Sequence, residues 1–219
     1  CIDSSVTTAS VALCSREQVL ATQVCDVQKE HAAFLQPAIA AVCKATNINL
    51  QQLAAVAVTD GPGSYTGLRV ALASAKGLCY ALQVPLLTMS TLELMARATV
   101  AREQPAADVW LCPMVDARRN EVFTAIFNQQ FQLQQPEAAL VLTPGIMDEL
   151  LEQQVVLFTG NGAAKWQAIC QHPNARFADV SFTAADMHTA AWHLFNQQQF
   201  ASLAYAAPRY LKEVHIIKK

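Results

Sequence analysis

Along the first hundred residues the apolar positions recur first with the period of strands and then with that of helices. Residues 1–3 read as the end of a strand and residues 4–8 as a polar turn. Residues 10–14 (S-V-A-L-C) and 18–27 follow as two more strands, close enough together to form an antiparallel meander. From residue 31 to 46 the period lengthens to that of a helix, with Phe34, Leu35, Ala38, Ile39, Val42 and Ala45 on one face. Pro37 should bend that helix or limit its first turn. Residues 53–59 (L-A-A-V-A-V-T) form the unbroken apolar run of a strand buried on both faces. A glycine-rich loop, a helix over 66–82, a strand over 84–88 and a helix over 90–102 complete this half. Ser90 or Thr91 stands at the N-cap of the last helix, with Glu93 placed as in a capping box.

The order β-β-β-α-β-α-β-α predicts a mixed sheet covered by helices. That is the α/β, ribonuclease-H-like core of actin, Hsp70 and sugar kinases. The second half begins in the same way. Residues 110–116 are a strand ending in Asp116, 117–120 a turn, and 121–127 (E-V-F-T-A-I-F) a returning strand, a weak internal repeat of strand, Asp, turn and strand. After Phe127 the pattern loosens, leaving a strand over 155–159 and helices over 163–170 and 185–195. E-Q-P-A-A at 103–107 marks a boundary. Two lobes are expected: residues 1–103, and residues 104–219 as a degenerate copy of related fold.

Composition sharpens this picture. Of the 219 residues, 53% are hydrophobic and only 15% charged, against a usual ~25%. So much apolar side chain needs a large core or a surface covered by a partner. The net charge is −2 and no run of Lys or Arg occurs, which argues against unaided nucleic-acid binding. Seven scattered cysteines without a CxxC pair predict a reduced, cytoplasmic protein. No apolar run reaches the ~18 residues of a membrane span. The first strand is already under way at Cys1, so a few residues are expected before it.

Candidate chemistry is sparse. Gly61-Pro62-Gly63-Ser64-Tyr65-Thr66-Gly67 follows a buried strand and opens a helix, where free backbone N–H groups can hold an anion. Its spacing, GxGxxxG, is one residue too long for the dinucleotide fingerprint, and no Lys-Ser/Thr pair follows as a P-loop requires. A tight packing turn is the favoured reading; an anion or nucleotide loop built from Asp3, Gly61, Gly63 and Ser64 is the other. The turn after Asp3 holds no glycine, so backbone approach to a phosphate is hindered, and Asp3 capping its own turn is favoured. None of His31, His172, His188, His193 and His215 pairs with another at helical spacing, so no metal site is expected. No G-x-S-x-G elbow is present, and no catalytic residue is assigned. A peptidase acting on a partner would need a nucleophile and base that the sequence does not display.

The two helices flanking the glycine loop are poor in polar residues. Gly67, Ala71, Ser74, Ala75, Gly77 and Ala81 are small, and only Arg69, Lys76 and Tyr80 make a polar stripe. A helix with one face on a sheet normally shows water a broad polar face. His31, Phe34, Leu35, Ala38, Gly67, Ala71, Ser74 and Leu78 are the expected partner-interface residues. Ala71→Arg is expected to abolish pairing and leave the monomer folded.

The run Ala57-Val58-Thr59-Asp60-Gly61-Pro62-Gly63-Ser64-Tyr65-Thr66-Gly67-Leu68-Arg69 resembles the bacterial TsaB (YeaZ) family. So do Ala75-Lys76-Gly77-Leu78, Ser90-Thr91-Leu92-Glu93, Ile2-Asp3-Ser4-Ser5, Glu30-His31, Asp116-Ala117-Arg118 and Pro208-Arg209-Tyr210-Leu211. The likeness is dense over 53–95 and thin over about 130–200. The resemblance implies a non-catalytic subunit in the synthesis of N6-threonylcarbamoyladenosine at position 37 of ANN-decoding tRNAs. It implies a TsaD-like catalytic paralogue and a TsaE-like ATPase as partners, self-pairing when alone, and tRNA contact only through the complex. Members pair through their first two helices. The catalytic paralogue holds a metal with a His-x-x-x-His pair; the comparable residues 90–95 here contain no histidine, and no cofactor is expected. The alternative is an ATPase or small kinase of the same fold, which would bind phosphate at the Asp3 turn and the Gly61 loop.

Overall fold

A computed structural model describes residues 1–212. The described residues form two five-stranded sheets. The first contains β1 (Ile2–Asp3), β2 (Ala9–Cys14), β3 (Val19–Cys25), β4 (Val56–Gly61) and β5 (Leu86–Ser90), in the order β3-β2-β1-β4-β5. The second contains β6 (Trp110–Asp116), β7 (Glu121–Phe127), β8 (Leu133–Val141), β9 (Val156–Thr159) and β10 (Ala175–Ala178), in the order β10-β9-β6-β7-β8. The two orders are the same. In each sheet a first strand pairs antiparallel with the second and parallel with the fourth. The internal repeat read at Asp3 and Asp116 is therefore a repeat of sheet topology, and the fold is the expected ribonuclease-H-like one.

Helices α1 (His31–Thr46), α2 (Tyr65–Leu82), α3 (Thr91–Glu103), α4 (Asp148–Gln153), α5 (Ala163–Gln167) and α6 (His188–Asn196) cover the sheets. α1 and α2 close the outer face of the first sheet, where Leu35, Ile39 and Val42 meet Ala71, Leu72 and Ala75 over Ile2, Val11 and Val58. α3 lies between the sheets. Its Leu92, Leu94 and Met95 join Met89 of the first sheet to Leu111 and Val115 of the second. Trp166 and Phe158 anchor a third cluster beyond the second sheet. Ser90 caps α3 by accepting from the backbone N–H groups of Leu92 and Glu93, as the capping signal predicts.

Several elements depart from the expectations. α1 continues through Pro37, which is exposed, so the proline does not confine the first turn. The expected helix over 163–170 stops at Gln167. The helix expected over 185–195 opens as a 3-10 turn at Ala184–Met187 before α6. β8, α4 and β10 carried no usable period. β8 is an edge strand with mostly exposed residues and Pro136 inside it, so neither face imposes an apolar alternation.

Near the middle of α2, a Cβ built on Gly77 meets nothing within 4 Å. Gly77→Ala should therefore stabilise the isolated chain by about 0.5–1 kcal/mol through helix propensity. Urea unfolding with an unchanged m-value would verify it.

Candidate functional site

Ligands of sheets with parallel strands bind at the strands' carboxyl ends. In the first sheet those ends carry Asp3, Thr59-Asp60-Gly61 and Ser90. Asp3 is buried, and its Oδ1 accepts from the Thr59 hydroxyl at 2.5 Å and the Ser5 backbone N–H at 3.2 Å. Burial raises its pKa above the ordinary 3.8, against the opposing pull of those hydrogen bonds. The carboxylate is thus capping its own turn and bracing β4.

The glycine loop presses onto the same turn. The Ser64 N–H donates to the Ser5 carbonyl at 2.6 Å, and the Ser4 hydroxyl donates to the Gly67 carbonyl at 2.8 Å. A Cβ on Gly63 would stand 2.1 Å from the Ser5 carbonyl oxygen, and one on Gly67 would stand 1.9 Å from that of Ser4. The Gly67 N–H is capped by the Ser64 side chain. Two carbonyl oxygens and a side-chain cap thus occupy the ground an anion would need. Asp3, Gly61, Gly63 and Ser64 do come together, as the loop reading expected. What they build is a packing junction, because carbonyl oxygens repel phosphate and the free N–H groups are spent.

Beside the junction lies a cleft of about 860 Å³ between the sheets, lined by Asp60, Ser90, Glu93, Arg97, Glu137 and Arg209 among others. Arg209 donates to Asp60 through Nε at 2.9 Å, to Glu137 at 2.9 Å and to the Gly61 carbonyl at 3.2 Å. Ser90 hydrogen-bonds the other oxygen of Glu137, and Arg97 pairs with Glu93 at 2.7 Å. Burial raises the pKa of Asp60, and Arg209 opposes the shift. Glu137 and Arg209 were not among the expected site residues. They reach Asp60 from β8 and the C-terminal segment, and no local pattern signals a contact 149 residues apart in sequence.

On the second sheet Asp116 is the counterpart of Asp3. It is exposed and pairs with Lys165 at 2.5 Å. Its slight burial pushes the pKa up, but the bonds from Lys165 and the Arg118 N–H hold it below the ordinary value. Among the described residues no three His, Cys, Asp or Glu side chains gather as a metal site would require. All seven cysteines are free, and burial pushes the Cys112 thiol up to about 12, far from a nucleophile's range.

The expected interface residues divide. Leu35, Ala38 and Ala71 are buried in the α1–α2 core, and Gly67 in the junction. His31 is buried too, its Nε2 3.0 Å from the Thr7 carbonyl oxygen. These five cannot meet a partner without unfolding, and Ala71→Arg would disrupt the monomer. Phe34, Ser74 and Leu78 are partly exposed beside the small residues Ala33, Ala40, Ala73, Gly77 and Ala81, which are exposed. One helical phase separates the two sets: the most apolar face went to the sheet, and the weakly polar face went outward. The cations of α2 are tied down. Arg69 lies 3.9 Å over the Tyr65 ring and donates to Tyr210, and Lys76 bonds the Ala204 and Ala206 carbonyls.

The family described as "TsaD: tRNA N6-adenosine threonylcarbamoyltransferase" matches residues 25–218. The chain belongs to this family. Within it the chain groups with the TsaB (YeaZ) proteins. It is 29% identical to the tRNA threonylcarbamoyladenosine biosynthesis protein TsaB of Bacillus subtilis over 88% of this chain and 80% of that one. It is 28% identical to TsaB of Escherichia coli over 96% of this chain and 93% of that one. YeaZ from Pseudomonas aeruginosa superposes with a TM-score of 0.78 at 25% identity, covering 96% of this chain and 97% of that one. A second Pseudomonas aeruginosa structure, described as similar to peptidase YEAZ, reaches 0.81 at 26% identity with the same coverage.

Two measurements probe the junction in this TsaB-like chain. Gly67→Ala should cost at least about 2 kcal/mol, because a methyl group would overlap the Ser4 carbonyl; a Tm within a degree of the parent would refute the packing. Asp3 makes folded stability fall as pH rises from 3.8 through its raised folded value, since ionisation costs more in the folded state. Asp3→Asn should remove that fall, as seen by comparing melts from acid to neutral pH.

Proposed function

We propose that this chain is a non-catalytic subunit in the synthesis of N6-threonylcarbamoyladenosine in tRNA, and that it binds and supports a TsaD-like enzyme. The names of its relatives support the pathway. The accessory role rests on one observation above all: α1 and α2 turn outward a continuous set of small residues while the cations of α2 are held by other parts of the chain. Close backbone approach across such a surface favours helix-on-helix packing. The junction at Asp3 and the Gly61 loop supplies no open anion cradle, which weighs against the ATPase or kinase alternative.

In this reading residues 1–103 form the lobe that carries the interface and residues 104–219 the second lobe. Two copies pair through the same helices in the absence of the enzyme. A TsaE-like ATPase joins the assembly, tRNA is met through the complex, and the work is done in the cytoplasm. No described helix is long and apolar enough to cross a membrane.

The test uses exposed Ala73 of α2. Ala73→Arg should leave the melting curve of the isolated chain within about 0.5 kcal/mol of the parent, as for other exposed sites. It should also abolish co-elution with a TsaD-like enzyme and the gain in tRNA modification that the subunit brings to a reconstituted mixture. An unchanged complex would remove α2 from the interface. ATP turnover by the purified chain alone would overturn the accessory role.

A further inference from the structure

The central strand of the first sheet is shorter than its neighbours. β1 has two residues, whereas the flanking β2 and β4 have six each. Its counterpart in the second sheet, β6, has seven and ends in Asp116 as β1 ends in Asp3. Superimposing the two aspartates places Ile2 with Val115 and Cys1 with Met114. Residues 110–113 of β6 are left with no counterpart in β1.

A cavity of about 460 Å³ stands where that counterpart would run. Its sides are Leu13, Cys14 and Ser15 of the β2 end and Ala54, Ala55 and Val56 entering β4. Its floor is Ile39, Val42 and Ile48 beneath the sheet, and its roof is Ala191, Trp192 and Phe195 of α6. The cavity is thus a slot in the plane of a sheet, closed by a helix on each face. At its inner end the Cys1 α-ammonium donates to the Ala12 carbonyl at 2.8 Å, and the Ala12 N–H returns a bond to the Cys1 carbonyl at 3.0 Å. Burial pushes that ammonium below its ordinary value of 8.0. A charge facing an apolar slot without a carboxylate partner is costly, whereas an amide nitrogen at the same point would continue the ladder at no such cost.

We infer that the slot is a strand-binding site whose occupant is about four residues of extended, largely apolar chain joined to Cys1, completing β1 between β2 and β4. The ladder defines the fit. Ile2 pairs with Val11 and with Val58. Continuing both registers sets the residue before Cys1 opposite Leu13 and Val56, and the one before that opposite Cys14 and Ala55. Side chains alternate across a strand. Ile2 packs with Ile39 and Val42 under the sheet, and Cys1 packs against the Ala191 cluster above it. The residue preceding Cys1 therefore points to α1, and the next one back points to α6. Both faces are closed, so both positions take branched apolar side chains, as a strand buried on both sides requires.

The experiment compares three proteins. One is the 219-residue chain, one carries Met-Thr-Ile-Leu before Cys1, and one carries Met-Thr-Asp-Asn there. The Ile-Leu protein should melt several degrees above the other two and protect the amides of residues 13–15 and 54–56 from hydrogen exchange. Equal melting of the Ile-Leu and Asp-Asn proteins would overturn the inference, since removal of the buried charge would then be the whole effect. Equal melting of the Ile-Leu protein and the 219-residue chain would overturn it as well. So would an apolar dye that binds the Ile-Leu protein at Trp192 as tightly as the 219-residue chain, because the cavity would then lie off the path of the strand. None of these readouts depends on a partner or on tRNA, so they stand apart from the proposed function.

Discussion

The contact between the Ser4–Ser5 turn and the glycine loop is the constraint from which the rest of the structure follows. Gly63 and Gly67 bring the start of α2 against two backbone carbonyls at distances no side chain would tolerate. The Ser64–Ser5 hydrogen bond and the Thr59–Asp3 bond lock that approach from both sides. β1, β4 and α2 are thereby set as one unit. The same contact sets the rotation of α2, sending Leu68, Ala71, Leu72 and Ala75 inward and Ala73, Gly77 and Ala81 outward. It also fills the corner where the strand ends could have received a phosphate. One packing decision therefore closes a potential site and opens a surface.

Charge is distributed to match. The chain has few charged residues, and many of those near the first sheet are spent internally. Arg209 joins Asp60 to Glu137, Arg97 joins Glu93, and Lys76 and Arg69 hold the returning C-terminal segment to α2. Exposed pairs of this kind contribute little to stability one by one. Their effect here is geometric. They hold residues from β8 and the C-terminal segment against the strand ends of the first sheet, and they leave the outward strip of α1 and α2 nearly free of fixed charge. A surface without fixed charge is inexpensive to desolvate, which is the property a protein partner needs.

Much of the first half was legible in the residue pattern because its elements are buried. β4 reads as an unbroken apolar run since both its faces are covered, and α1 announces itself through Leu35, Ile39 and Val42, which meet the sheet. β8 and β10 lie at the edges of the second sheet, where water accepts any polar residue, and they left no period to read. The interface residues illustrate a subtler limit. Leu35, Ala38 and Ala71 were sought at a partner surface because they are apolar and small. The sheet beneath the helices claims apolar positions first, and a partner receives what remains.

By itself the sequence determined the element order, the ribonuclease-H-like class, the repeat of strand, Asp and turn, and the membership carried by residues 53–95. These depend on local period and on residues adjacent in the chain. Tertiary structure alone decided that the glycine loop is filled by Ser4 and Ser5, that Arg209 and Glu137 meet at Asp60, and which small residues of α2 face outward. The reason is physical. A hydrophobic period says that a face will be buried, but not against what, and contacts between residues 60 or 149 positions apart exist only once the sheets have formed.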